Sequence, residues 1–183
     1  MSDGLILRVN DALELRQLTL EDAEELAGLE EGREHRPQVE EAWYYPQSVD
    51  GARQFIQAAW TQYQQQQGVL FGIRFQGRLA GVVQLTRKPY GRTAGIDYAL
   101  APAFRGRGLV TMACAALIRF AFEEWDLHRL EIWVDVVNVK SCAVPERLGF
   151  VKEGVLRELA CYGDFYGDAA IYALLRNDWP TEP

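Results

Sequence analysis

Between residues 94 and 122 two apolar runs, AGIDYALA and LVTMACAALIRFAF, are separated by the stretch PAFRGRG. The first run has the length of a strand, and the second is long enough for a helix from Gly108 to about Glu124. A strand that feeds a helix through a glycine turn leaves the unpaired N–H groups of the helix's first turn facing that turn. Gly106 and Gly108 remove the Cβ atoms that would keep a ligand off the backbone. Arg105 and Arg107 add positive charge beside the positive end of the helix dipole. Such a junction suits a pyrophosphate, or it is a glycine turn with solvated arginines, and the spacing alone leaves both open. It is not a P-loop, since no Gly-Lys-Ser/Thr follows. Nor is it a dinucleotide fingerprint, because Thr111 stands where the third glycine would be needed.

The remaining elements organise around this junction. LELRQL (13–18) alternates as a strand, and Thr19 with Asp22 forms a capping pattern for a helix over 20–31. Residues 32–48 are irregular, with Pro37, Pro46 and the aromatic cluster Trp43-Tyr44-Tyr45. Ser48 caps a second helix over 49–67, in which Phe55, Ile56, Ala59, Trp60 and Tyr63 share a face and Gly68 is the stop. VLFGIRF and RLAGVVQLTR form a hairpin through Gln76-Gly77. After the central helix come the strand RLEIWVDV, a helix from Asn138 to about Leu148 closed by Gly149, and the strands FVKEGVLREL and AAIYALLR. The expected fold is α/β (α+β): one domain over 1–183, with a mixed central sheet of about seven strands flanked by helices.

Composition narrows the function classes. A net charge of −7 argues against a nucleic-acid surface, which needs a basic footprint. No run approaches the ~18 apolar residues of a membrane span, and residues 1–18 lack the pattern of a signal peptide. Three cysteines without paired spacing suggest neither a metal site nor a disulfide framework, so a reduced, cytoplasmic setting is expected, with no metal.

Residues 95–158 resemble the GCN5-related N-acetyltransferase superfamily. The similarity is to the branch that includes the ribosomal-protein N-terminal (serine/alanine) acetyltransferases. It rests on Pro102 with the Arg105-Gly106-Arg107-Gly108 turn, Asn138 with Ser141, ERLGF at 146–150 and EGVLRE at 153–158. Weaker agreement extends through Trp43 and the terminal IYALLRNDW. Ala103 departs from the Gln or Arg that often opens the superfamily's pyrophosphate loop, but the loop's backbone donors do not depend on that side chain.

The resemblance implies an enzyme that moves acetyl from acetyl-CoA to a primary amine, without an acyl-enzyme. It places Tyr98, Ala99 and Leu100 beside the pantetheine arm, and Phe104, Arg105, Gly106, Arg107, Gly108 and Leu109 around the pyrophosphate. A backbone N–H near Tyr98 or Ala99 is the expected oxyanion donor. Asn138 is expected to bind the pantetheine amides, and Ser141 to stabilise or protonate the leaving thiolate. The residues themselves also read as a helix N-cap and a first-turn hydroxyl. The branch's usual carboxylate base aligns with Ala160, so Glu158, two residues earlier on the same strand face, is the candidate base, ahead of Asp97 and Glu153. Trp43, Tyr44 and Tyr162 are candidates for an acceptor cleft or for core packing. Cys142 is a neighbour of Ser141 rather than a nucleophile, because no motif links it to His35 or His128. The implied acceptor is the N-terminal amine of a protein, by resemblance to the branch a ribosomal one. A small amine such as a polyamine, amino acid or aminoglycoside is the alternative, as is a non-catalytic CoA sensor. A homodimer is expected from the branch.

Overall fold

Strands buried on both faces need apolar residues at every position, and the chain's middle supplies them. The computed structural model describes residues 4–30, 46, 48–162 and 165–180. Their strands are β1 (Ile6–Arg8), β2 (Leu13–Gln17), β3 (Gly68–Phe75), β4 (Arg78–Arg87), β5 (Thr93–Leu100), β6 (Arg129–Asp135), β7 (Val151–Tyr162) and β8 (Phe165–Leu175). They form one sheet in the order β1-β2-β3-β4-β5-β6-β8-β7. Every neighbouring pair is antiparallel except β5 and β6, which run parallel. The helices are α1 (Ala23–Ala27), α2 (Val49–Gln64), α3 (Leu109–Glu123) and α4 (Val139–Arg147).

The helices cover both faces of the sheet. Phe71 on β3 turns toward α3, where its ring meets Phe120 edge-on at 5.9 Å between centroids. The next residue, Gly72, faces the other side, where a Cβ would stand 2.6 Å from Leu18. Trp60 of α2 donates its indole N–H to the Leu18 carbonyl at 2.7 Å on that same side.

Three details differ from the sequence reading. The hairpin partner β1 went unread, although Asn10 marks its turn by accepting the backbone N–H groups of Ala12 and Leu13 at 2.9 and 3.0 Å. The helix expected over 20–31 is instead a 3-10 turn at Leu20–Asp22, the short α1, and a second 3-10 turn at Gly28–Glu30. The second helix ends at Gln64, because Gln66 takes φ 57 and reverses the chain. Gly68 therefore opens β3 rather than stopping α2, and only glycine fits there easily, with the Leu85 carbonyl 3.0 Å from a Cβ position.

A buried ion cluster holds the N-terminal segment to the sheet. Asp22 accepts the Thr19 N–H at 2.7 Å, pairs with Arg16 at 2.7 Å, and pairs with the buried Arg74 of β3. Burial pushes the Asp22 carboxyl upward, but the Thr19 amide and the two guanidiniums outweigh it and hold the group below the usual carboxylate range.

Candidate active site

The parallel pairing of β5 with β6 covers only Thr93↔Arg129, Ala94↔Leu130 and Gly95↔Glu131. Beyond Gly95 the two strands part: β5 stays paired to β4 as far as Gly81↔Leu100, while β6 stays paired to β8 as far as Asp135↔Ala169. The edge of β5 from Ile96 to Leu100 thus faces a gap inside the sheet, and strand backbone without a partner there needs another hydrogen-bonding group. Tyr98, Ala99 and Leu100 lie on this edge, half-buried.

Two local features shape the gap. Gly81 on β4 lies so close to β5 that a Cβ would stand 2.2 Å from the Ala99 carbonyl. The gap also opens directly onto the glycine turn. Pro102–Phe104 makes one 3-10 turn, Gly106 and Gly108 take φ 76 and 72, and α3 begins at Leu109. Gly108 is the N-cap and supplies no side-chain cap; the first backbone bond into the helix is Met112 N–H to the Gly108 carbonyl at 3.1 Å. The first-turn N–H groups of α3 are therefore directed at the turn. A Cβ at Gly106 or Gly108 would meet no protein atom within 4 Å, so the space above both is open.

Positive charge gathers at the same place. The Arg107 guanidinium lies 5.7 Å from the Phe75 ring centre, and that of Arg78 lies 5.4 Å from the Phe104 ring centre. These stacks brace the β3–β4 hairpin against the turn and keep the cationic heads nearby. Arg105 points its Nε toward the Leu100 carbonyl at 3.4 Å. Among the described residues, Arg78, Arg105 and Arg107 have no carboxylate partner. Phe104 itself is buried, and Leu109 is in the core. Arg78 carries no motif in the sequence; only the hairpin brings it here.

On the far side of the gap stands α4. Asn138 caps it, its side-chain oxygen accepting the Ser141 N–H at 3.2 Å, so the side chain acts as the N-cap that the sequence allowed. Ser141 is half-buried in the first turn, and its carbonyl accepts the Tyr98 hydroxyl at 3.0 Å. Residues 43 places apart in sequence are in this way joined across the gap. Burial pushes the Tyr98 hydroxyl far above its ordinary titration range, with the Cys114 and Cys142 thiols and Asp97 adding to the effect, so it remains a donor. Cys142 directs its thiol at the Asp135 carbonyl at 3.7 Å and serves packing, while burial pushes the enclosed Cys114 thiol up.

The candidate carboxylates separate by environment. Arg129 forks Glu153 with two bonds of 2.9 and 2.6 Å, and this holds Glu153 below the usual carboxylate range. Such a group is a poor proton acceptor. Asp97 lies half-buried on the gap segment of β5. Glu158 is exposed, and the alternation expected to put it on one face with Ala160 is interrupted in the backbone. Leu156 pairs with Ala169 and Ala160 with Gly167, so three β7 residues stand opposite Asp168 alone. Strict alternation fails across such a bulge. Glu158 takes φ 52 there, and its N–H is held by the Asp168 carboxylate at 2.8 Å. Trp43 and Tyr44 lie outside the described residues; Tyr162 ends β7, and its side chain is likewise outside them.

Comparison with known proteins gives consistent matches. The family model described as Acetyltransferase (GNAT) domain matches residues 12–151. The chain is 36% identical over 181 residues to the "Putative ribosomal N-acetyltransferase YdaF" of Bacillus subtilis (strain 168), covering 96% of this chain and 97% of that protein. It is 32% identical over 130 residues to the ribosomal-protein-serine acetyltransferase of Escherichia coli (strain K12), covering 70% and 73%. Among solved structures it is similar to RimL, a ribosomal L7/L12 alpha-N-protein acetyltransferase in complex with coenzyme A, with a TM-score of 0.86, 26% identity, and coverage of 93% and 98%.

Proposed function

The chain belongs to the GNAT acetyltransferase family and is an acetyl-CoA-dependent N-acetyltransferase, and from this premise we propose that its acceptor is the N-terminal amine of a protein, a ribosomal protein first of all. The acceptor reading is supported by the similarity to a protein named as a ribosomal N-acetyltransferase over 96% of the chain. The reading of the site rests on one observation, the departure of β5 from β6 beyond Gly95 next to an uncapped, arginine-flanked helix N-terminus. An acyl-CoA needs both: a slot with free backbone groups for its amide-bearing arm, and a cationic cradle for its pyrophosphate.

In this reading Tyr98 to Leu100 offer backbone groups to the pantetheine, and Phe104 to Leu109 carry the cradle. Asn138 holds the start of α4 in place beside the pantetheine amides. The neutral amine attacks the thioester carbonyl, so a C–N bond forms and negative charge builds on the carbonyl oxygen. A backbone N–H of the β5 gap segment faces that oxygen. Collapse breaks the C–S bond; the Ser141 hydroxyl either donates a hydrogen bond to the departing thiolate or passes it a proton, which solvent returns to the serine as Glu158 releases its own. Glu158 receives the proton that the amine loses. Support for Glu158 is its exposure, together with its left-handed backbone inside a strand, since such strained positions concentrate at functional sites. Trp43, Tyr44 and Tyr162 remain the proposed lining of the acceptor cleft.

The test follows free thiol release and product mass with three acceptors: a peptide with a free N-terminal serine or alanine, the same peptide blocked at its N-terminus, and spermidine. Turnover of the free peptide alone is expected. Turnover of spermidine alone would overturn the protein-acceptor reading, and acetyl-CoA binding without turnover on any amine would favour a sensor.

A further inference from the structure

Pro145 sits inside α4, four residues after Ser141. In a regular helix the N–H at position 145 would donate to the Ser141 carbonyl, but proline has no N–H, and its ring crowds that carbonyl outward. The carbonyl is not left bare: it accepts the Tyr98 hydroxyl at 3.0 Å. Tyr98 comes from the β5 segment that has left β6, so its hydroxyl fills the vacancy from across the gap. Half of the bond is thus created on α4 by Pro145, and half is supplied by a strand. A half-buried carbonyl left without a donor is costly, as is an unmet hydroxyl, which makes the pairing mutual.

We propose that Tyr98 is a positioning residue: by taking the place of the helix donor that Pro145 lacks, it pins the first turn of α4, and with it Ser141, to the gap segment of β5. The consequence for catalysis rests on the reading of Ser141 above; the pinning itself does not. The side chain acts toward α4, whereas any contact of Tyr98 with the pantetheine runs through its backbone, which a Phe retains. Glu146, one residue past Pro145, secures the next turn separately by accepting the Tyr172 hydroxyl at 3.1 Å, so α4 is not held by Tyr98 alone and the variant has a fold to keep.

The experiment compares Tyr98→Phe, Pro145→Ala, the double variant and Ser141→Ala. Hydrogen exchange of the α4 amides and steady-state kinetics are read for each. Tyr98→Phe is expected to speed exchange in α4 and to lower kcat roughly tenfold, with KM for acetyl-CoA nearly unchanged. Pro145→Ala restores an N–H to the helix, so in the double variant both the exchange rate and kcat should return most of the way to the parent values. That rescue is something a general loss of packing would not show. Unchanged α4 exchange in Tyr98→Phe, or no rescue by Pro145→Ala, would overturn the proposal. Faster exchange that Pro145→Ala reverses supports the pinning even where Ser141→Ala turns over normally; that second result would sink the role of Ser141 and leave the tether standing.

Discussion

Ser141 and Asp22 show how differently single polar groups are used here. The Ser141 backbone is satisfied on both sides, by Asn138 and by Tyr98, while its hydroxyl has no hydrogen-bond partner among the described residues. A hydroxyl on a fixed backbone can act in a transition state without contributing to ground-state binding. Ser141→Ala should therefore lower kcat by ~10²-fold or more while KM for acetyl-CoA stays within about twofold, and Glu158→Gln should lower kcat/KM in the same assay. Wild-type turnover in Ser141→Ala at several pH values would return Ser141 to a structural role. Asp22 serves the fold instead. Its carboxyl is depressed in the folded state, so its contribution is present above the unfolded value of ~3.9 and is lost as pH falls through the folded value. Asp22→Asn leaves Arg16 and the buried Arg74 without that charge, and should cost about 3 kcal/mol at pH 7 by denaturant unfolding. The difference from the parent should shrink below pH ~4; a constant difference down to pH 3 would mean that the charge is not what matters.

At the scale of elements, the glycine turn and α3 form one unit. Gly108 is at once the left-handed N-cap and the residue above which the space is open. At Gly108→Val the Cβ meets no protein atom within 4 Å, yet a β-branched residue is forced to φ 72, a strain of ~1–2 kcal/mol, and its methyl groups stand where an anion would approach. Acetyl-CoA affinity should fall at least about tenfold by calorimetry, with the fold intact by circular dichroism; unchanged affinity would remove the cradle. This unit was legible in the sequence, because glycine, arginine and helix periodicity are local signals. So were Asn138 with Ser141, and the strand and helix order after residue 48. What escaped was non-local. Arg78 reaches the turn only through the β3–β4 hairpin, the Tyr98 hydroxyl finds its acceptor 43 residues away, and the gap depends on which pairings stop at Gly95. The alternation used to assign a face to Glu158 does not run through the bulge at 157–159, and nothing in REL marks one. The strand β1 was missed although Asn10-Asp11 between two apolar stretches is itself a turn signal.

For the whole molecule, the sheet is not equally guarded at its two ends. β1 is only three residues long, a short edge that offers little for pairing. At the other end β7 runs from Val151 to Tyr162, with Val151, Val155, Leu156 and Leu159 all exposed. A long apolar edge of this kind is normally covered. The homodimer expected from the resemblance would use it, so the chain should sediment as a dimer at micromolar concentration, and Leu159→Lys should shift it toward monomer. A monomer in the parent protein would refute the dimer.

The gap between β5 and β6 has a thermodynamic side as well. A sheet interrupted in its interior forgoes ladder bonds that its neighbours keep, and local opening along such a line costs less than in a continuous sheet. A molecule with alternating amide donors and acceptors, laid against Ile96 to Leu100, would act there as a strand that the gene does not encode. Acetyl-CoA would then be in part a folding ligand. At 100 times its Kd it adds ~2.7 kcal/mol to stability by mass action, and the gain should be concentrated in hydrogen-exchange protection of β5 and the start of α3 rather than spread over the chain. A melting temperature raised by acetyl-CoA, with protection appearing at the distant β1–β2 hairpin instead, would contradict this.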